Sequence, residues 1–312
     1  MLTLRYERNI KNIPPCVIAL GFFDGVHIAH RTLLASARAL ADELSLPLAV
    51  FTFFSESREL KSSSLRLYST KEKLELLSEC RVDLVLLADF SELKDISAED
   101  FVKEILVREL QAKAVAAGYN FTYGKGGSGN IGTLEKSLLK AGAICLKVDE
   151  ERLDGKTLST TYIRSLLDER RLREATAALG KPYFLSGEVV RGKGLGHKLG
   201  MPTVNISLDQ GRYNLKGGVY ATAAELKGEL YLSITNIGTC PTFGERELHA
   251  ETEIFGFDGD LYGESIRIYF LDYLREEKAF KDKKELLMQI KLDKEAVIRF
   301  GNEVSWQELG LK

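Results

Sequence analysis

"CVIALGFFDGVHIAH", residues 16–30, decides how the first half of this 312-residue chain is read. An apolar run of strand length, 16–20, ends at Gly21. A loop carrying Phe23, Asp24 and Gly25 then leads to two histidines three residues apart, His27 and His30. Beyond them Leu33, Leu34, Ala37, Leu40, Ala41 and Leu44 recur at helical spacing over 30–44. Strand, glycine loop and helix together turn the first helical amides toward an anion, and the helix end acts as roughly +0.5 of a charge. Histidines there, protonated or donating, add to that field. Phosphate binding is one reading; a plain turn with surface histidines is the other, and the pattern alone does not choose.

Working outward, the first half alternates strand and helix signals. Short β-rich runs fall at 48–53, 82–88, 112–118 and 143–148. Helix patterns lie between them at 70–80 and 97–110, the second opening on Ser97-x-x-Asp100, which can cap its own amides. Such alternation implies a parallel sheet covered on both faces, a doubly wound α/β domain of Rossmann-like type. Near Gly180–Pro182 the texture changes to closely spaced strands and glycine turns, including "KG" at 227–228 and "DG" at 258–259. In "SIRIYF" Ile266, Ile268 and Phe270 alternate with Arg267 and Tyr269. The expectation is a small closed β-barrel with a terminal helix over 282–300, packed through Leu286, Leu287, Ile290, Val297 and Ile298. The domains are expected at 1–182 and 183–312.

Bulk properties exclude several classes. Hydrophobic content of 45% and charged content of 28% suit an ordinary globular protein. A net charge of -2 gives no electrostatic reason to expect nucleic acid or an anionic membrane. Cys16, Cys80, Cys145 and Cys240 are too dispersed for a metal or redox pair. No apolar run approaches the ~20 residues of a membrane span, and the charged first fifteen residues do not read as a signal peptide. A cytoplasmic, water-soluble protein is expected; nothing indicates its oligomeric state.

A second glycine-rich stretch, "GEVVRGKGLGHKLGMPTVNI", occupies 187–206. Gly192, Gly194 and Gly196 supply bare amides able to wrap a phosphate, and Lys193 supplies charge. After Pro202, Thr203 and Asn205 share one side of any strand they form. A hydroxyl and an amide oxygen there suit Mg²⁺, a hard cation that takes oxygen ligands beside phosphates.

The chain resembles the prokaryotic FAD synthetase family. "GFFDGVHIAH" is similar to the G-x-F-D-G-x-H-x-G-H stretch of nucleotidylyltransferases, whose histidines bind ATP phosphates; the resemblance implies that role for His27 and His30, with Gly21, Phe23, Asp24 and Gly25 shaping the loop. "GYNFTYG" (118–124) is similar to a substrate loop and implies a binding role for Asn120. "LSTTYIR" (158–164) resembles I-S-S-T-x-I-R, implying that Ser159, Thr160 and Arg164 hold the triphosphate. Residues 187–206 resemble the G-x-P-T-A-N signature of riboflavin kinases, with further landmarks at 236–247, 258–263 and 274–280. The family offset implies Glu251 as the base acting on the ribityl 5′-hydroxyl. Three departures stand out. Ala29 replaces glycine, Gly256 replaces a frequent aspartate, and Phe54, Ser55, Glu56 and Ser57 stand where the family has T-F-D-P-H-P. The implied activities are riboflavin phosphorylation to FMN and adenylylation of FMN to FAD, with ATP as donor in both. Two alternatives remain open: a riboflavin kinase with an inactive adenylyltransferase domain, and a non-catalytic flavin-binding protein.

Overall fold

The computed structural model describes residues 1–56, 65–190, 203–207, 212–239 and 248–311. Its first sheet contains β1 (Leu2–Arg5), β2 (Cys16–Leu20), β3 (Leu48–Phe53), β4 (Leu84–Ala88), β5 (Ala112–Gly118) and β8 (Ile144–Val148). Their order is β1-β4-β3-β2-β5-β8, and every pairing is parallel. The two-residue strands β6 (Thr122–Tyr123) and β7 (Gly129–Asn130) form one small ribbon, and β9 (Arg152–Leu153) with β10 (Lys156–Thr157) another.

Continuous apolar runs suit β2 and β4, which are buried along their whole length. Helix α1 (Ile28–Leu44) turns Leu33, Leu34, Ala37 and Ala41 inward, as its periodicity requires. Helix α2 (Thr70–Ser78) opens with a reciprocal capping box between Ser69 and Glu72. The short α3 (Phe90–Leu93) and α4 (Ala98–Asp100) follow, and the expected Ser97 cap is present, accepting from Asp100 N at 3.0 Å. Past Asp100 the helix widens, and Phe101–Glu109 takes π-helical pairing that the apolar spacing does not announce. Strand β1 was also not expected, because "LTLR" is short, charged and mostly exposed. The next residue, Tyr6, explains its docking: it is fully buried and donates to Glu109 at 2.7 Å. Helix α5 (Ile131–Lys140) precedes β8, and α6 (Thr160–Asp168) and α7 (Leu172–Leu179) complete the helices before the barrel.

Strands β11 (Phe184–Val190), β12 (Thr203–Ser207), β13 (Gly218–Leu226), β14 (Glu229–Thr239), β15 (Leu248–Ile254) and β16 (Ser265–Arg275) close into an antiparallel barrel in the order β11-β12-β15-β14-β13-β16. Lys227 and Gly228, at φ 50° and 88°, make the tight turn between β13 and β14 that their dipeptide suggests. Inside the barrel the hydroxyls of Thr222, Ser233, Thr235 and Thr252 form a fully buried chain with links of 2.8–2.9 Å. The terminal helix α8 (Lys283–Glu303) buries Asp293, Val297 and Phe300. Leu287 and Ile298, expected to pack, are exposed. The docked stripe is narrower than the apolar pattern and includes Asp293, which Arg275 holds with guanidinium contacts of 2.7–3.1 Å.

The chain forms two compact units, Met1–Thr160 and Thr161–Lys312. Helix α6 beyond Thr160 and all of α7 fall in the second. Asp168 accepts from Tyr213 at 3.0 Å, Arg173 reaches Asp272 at 2.7 Å, and Arg170 lies 4.3 Å over the Tyr273 ring.

Candidate active sites

In the first unit the chain changes direction between β2 and β5: β3 and β4 lie to one side, β8 to the other. Crevices at such switch points are where open α/β sheets bind ligands, beyond the strand C-termini. Here Gly21 follows β2 and Asn120 follows β5, and both line a cavity of about 980 Å³. Its walls carry Phe22, Phe53, Phe90, Phe121 and Tyr123, with His30 at the β2 side. The close approach of residue 124 to α4 demands glycine: at φ +74°, a Cβ there would lie 2.7 Å from the Ala98 backbone.

The loop of residues 22–26 has an unusual backbone. Phe23, Gly25 and Val26 have φ of 54°, 89° and 41°, costly for the two that are not glycine. Side chains from several elements hold its carbonyls. Thr52 donates to Phe22 O at 2.9 Å, Thr160 to Asp24 O at 3.1 Å, and Arg31 to Val26 O at 3.1 Å. Asp24 is buried and accepts from Leu67 N at 2.9 Å.

At the end of this loop His27 and His30 stack, ring centroids 3.7 Å apart and planes 18° from parallel. Desolvation pushes His27 down to about 4 and His30 well below the ordinary histidine range, His30 further by repulsion from His27 and Lys73. Burial therefore favours the neutral form of both rings at pH 7, a form that can still offer an N–H donor. Among the described residues neither Nδ1 has a hydrogen-bond partner. An unmet buried nitrogen is costly unless something else meets it. The structure thus gathers Gly21, Phe23, Asp24, Gly25, His27, His30 and Thr160 at one loop. Ser159 directly precedes α6, and Arg164 lies one turn into it, within the second compact unit.

The departing segment 54–56 is ordered around the start of α2. Thr70 Oγ1 takes the Ser55 amide at 2.8 Å, and the Glu56 carboxylate accepts from Thr70 N at 2.9 Å and from the Thr70 hydroxyl. Ser57 lies outside the described residues. Sequence reasoning missed Lys73, whose ammonium reaches Phe22 O and Phe53 O at this same junction. An "EKLEL" lysine reads as a solvated helix position. Only the fold shows it to be buried.

In the barrel Thr203, Asn205 and Glu251 come together. Asn205 pairs in register with Glu251, which on its other side pairs with Asn236 of β14. Thr203 donates to Glu251 Oε1 at 2.7 Å. Ala250, Thr252 and Ile254 point inward and are buried, so Glu251 and Glu253 share the outer face, as strand alternation predicts. Glu253 is engaged by Lys294 of α8 at 2.5 Å, which leaves Glu251 as the carboxylate beside the oxygen pair. Asn236, not anticipated, donates to Glu277 at 3.0 Å and keeps its buried Oδ1 without a partner among the described residues. Gly256 has φ 74°, which explains glycine where an aspartate would be strained. Gly192, Lys193, Gly194, Gly196 and Pro202 lie outside the described residues.

Comparison with known proteins agrees with both halves. Residues 9–162 match the FAD synthetase family and residues 179–300 the riboflavin kinase family. The bifunctional riboflavin kinase/FMN adenylyltransferase of Bacillus subtilis is 33% identical over 91% of this chain and 92% of its own length. The Haemophilus influenzae protein of the same name is 35% identical over 92% and 94%. The solved macrolide-efflux protein of Streptococcus pneumoniae superposes with a TM-score of 0.86 at 28% identity, covering 95% of this chain and 99% of its own. Among the described residues no helix is long and apolar enough to cross a membrane. With both family domains present, in that order and over nearly the whole length of its relatives, the chain belongs to the bacterial family of bifunctional riboflavin kinase/FMN adenylyltransferases.

Proposed function

We infer that the chain makes FAD in two steps: it phosphorylates riboflavin to FMN in its C-terminal barrel and adenylylates FMN in its N-terminal domain, each time with ATP. The observation that carries the residue-level reading is the stacked, neutral histidine pair at the end of a carbonyl-pinned loop, beside an aromatic cavity.

In the first unit an apolar cavity with polar groups at one end suits a flavin ring attached to a phosphate. His27 and His30 donate N–H bonds to ATP phosphate oxygens as charge shifts around the α-phosphorus. Pyrophosphate leaves, and the FMN phosphate oxygen takes its place. Preorganised donors in a desolvated pocket are worth more than the same donors in water, and need no rearrangement as charge develops. The incoming phosphates also oppose desolvation and raise the histidine pKa, which strengthens both bonds. Ser159 and Thr160 would bind the triphosphate beside the loop, and the family resemblance gives Arg164 a triphosphate role as well.

In the barrel Glu251 accepts the proton of the ribityl 5′-hydroxyl as its oxygen attacks the γ-phosphorus. Thr203 steers the carboxylate through its 2.7 Å hydrogen bond. The hydroxyl of Thr203 and the amide oxygen of Asn205, with ATP phosphates close by, form a donor set that fits Mg²⁺. A cation held there offsets phosphate charge during transfer. Gly192, Lys193, Gly194, Gly196 and Pro202 would cover the ATP phosphates. The domain division 1–182 and 183–312 and a cytoplasmic location complete this reading.

The test is to incubate the protein with riboflavin, ATP and Mg²⁺ and separate the flavins. FMN followed by FAD is expected. FMN alone would show that the changed loop at 54–57 has silenced adenylylation, and no new flavin would refute both activities.

A further inference from the structure

Lys73, on α2, is 1% exposed, an expensive position for an ammonium unless acceptors meet it. Its Nζ donates to Phe53 O at 2.5 Å and to Phe22 O at 3.4 Å, and stands 4.7 Å from the centre of the Phe22 ring. Phe53 is the last residue of β3, and Phe22 lies two residues past the end of β2. The ammonium therefore staples the two strand ends that border the histidine loop. The Thr52 hydroxyl binds the same Phe22 carbonyl at 2.9 Å. With the first loop carbonyl held by two donors, and the next ones by Thr160 and Arg31, the positive φ of Phe23 and Val26 is enforced from outside. Backbone strain at such residues persists only when their surroundings over-determine it.

We propose that Lys73 is a positioning residue for adenylyl transfer, clamping the Phe22 and Phe53 carbonyls so that the loop delivers His27 and His30 to the ATP phosphates. The proposal rests on the phosphate role of the two histidines. The charge state of the clamp adds a signature. Burial pulls Lys73 down to about 8, opposed by Asp24 and Glu56 and assisted by Arg66. Of the groups facing it, His27 and His30 are already neutral well below that pH, and Glu56 is held low by Thr70 despite its burial. Arg66 stays cationic. The clamp thus weakens as pH rises through about 8.

The experiment uses the full-length chain with Lys73→Met, which keeps the apolar stem and removes the ammonium. Adenylylation kcat should fall about tenfold to a hundredfold, the cost of a misplaced catalytic loop, while the KM for FMN stays near the parent's. Kinase turnover should remain parental. In the parent, kcat/KM for ATP should decline through pH 8, and Lys73→Met should lack that limb. Parental kcat and an unchanged pH profile in Lys73→Met would overturn the proposal, as would a variant that loses only thermal stability. If Lys73→Met fails to fold, Thr52→Val decides, since it removes the other donor to Phe22 O with little change of shape. Lower kcat supports the clamp, and parental kcat refutes it. His30→Ala in the same assay separates the two claims. If it keeps parental adenylylation, the histidine reading falls; if it alone loses activity, only the role of Lys73 falls.

Discussion

The two sites solve phosphate chemistry in contrasting surroundings. In the N-terminal unit the polar groups are desolvated histidines at the end of a strained loop, and in the proposed reading they act as neutral donors. In the barrel they are half-buried oxygens on the outer face of two paired strands, held by regular register. The first site draws its geometry from side chains that grip loop carbonyls, so residues outside the loop such as Arg31 and Thr52 matter to it. The second draws its described geometry from the sheet, whose register places Thr203, Asn205, Asn236 and Glu251 together. Loop sites should therefore be fragile to changes in their supports, and sheet-face sites sensitive mainly at the acting residues.

The sharpest way to break this contrast is at the base. Glu251→Gln keeps the hydrogen bond to Thr203 but cannot take a proton, and riboflavin phosphorylation should drop roughly 10²–10⁴-fold. Steady-state kinase assays check it, with adenylylation of supplied FMN expected to be unchanged. Near-parental phosphorylation would move the base elsewhere, with Glu253 next in line despite its bond to Lys294. A somewhat smaller effect belongs to the other side. Removing the donor in His30→Ala should lower FAD formation from FMN about 10²–10³-fold, read by single-turnover FAD release.

A smaller effect concerns what the barrel needs in order to stand alone. Residues 184–312 contain the strands, but α6 and α7 pack on them through Tyr213–Asp168 and Arg173–Asp272. A fragment of 161–312 should melt several degrees above one of 184–312, in line with a loss of a kcal/mol or more. Equal melting temperatures would show that the helices contribute nothing to the barrel.

A further effect is a dependence on acid. His27 binds its proton only near pH 4 when folded, against 6.5 ordinarily. Between those values the unfolded chain carries the extra proton, so native stability falls as pH drops, by at most about 1.4 kcal/mol per pH unit for one such histidine. Melting curves from pH 7 to 5 should show the decline, and a triphosphate should offset it. A flat profile would contradict the neutral pair.

Much of this architecture could be read from residues because local patterns and tertiary demands agree. Apolar runs became β2 to β5, alternation in "LHAETEIF" put Glu251 outward, and Lys227–Gly228 made its turn. The misses share a cause. The docking of β1 depends on Tyr6 meeting Glu109, 103 residues away. Leu287 and Ile298 look like core, but the docked face of α8 carries Asp293, paired with Arg275, instead. Lys73 and Asn236 gain meaning only from partners on other strands. Protonated histidines are an equally natural expectation, and burial, invisible in a motif, makes them neutral. Such contacts depend on long-range geometry that no local period encodes.

The central claim is that one chain holds two separable sites. Its most direct test is a crossed product analysis by chromatography, with the parent, Glu251→Gln and His30→Ala each given either riboflavin or FMN together with ATP and Mg²⁺. The account predicts that His30→Ala stops at FMN from riboflavin, while Glu251→Gln makes FAD from FMN and almost none from riboflavin. His30→Ala yielding FAD at the parental rate, or either variant losing both reactions while still folded, would contradict it.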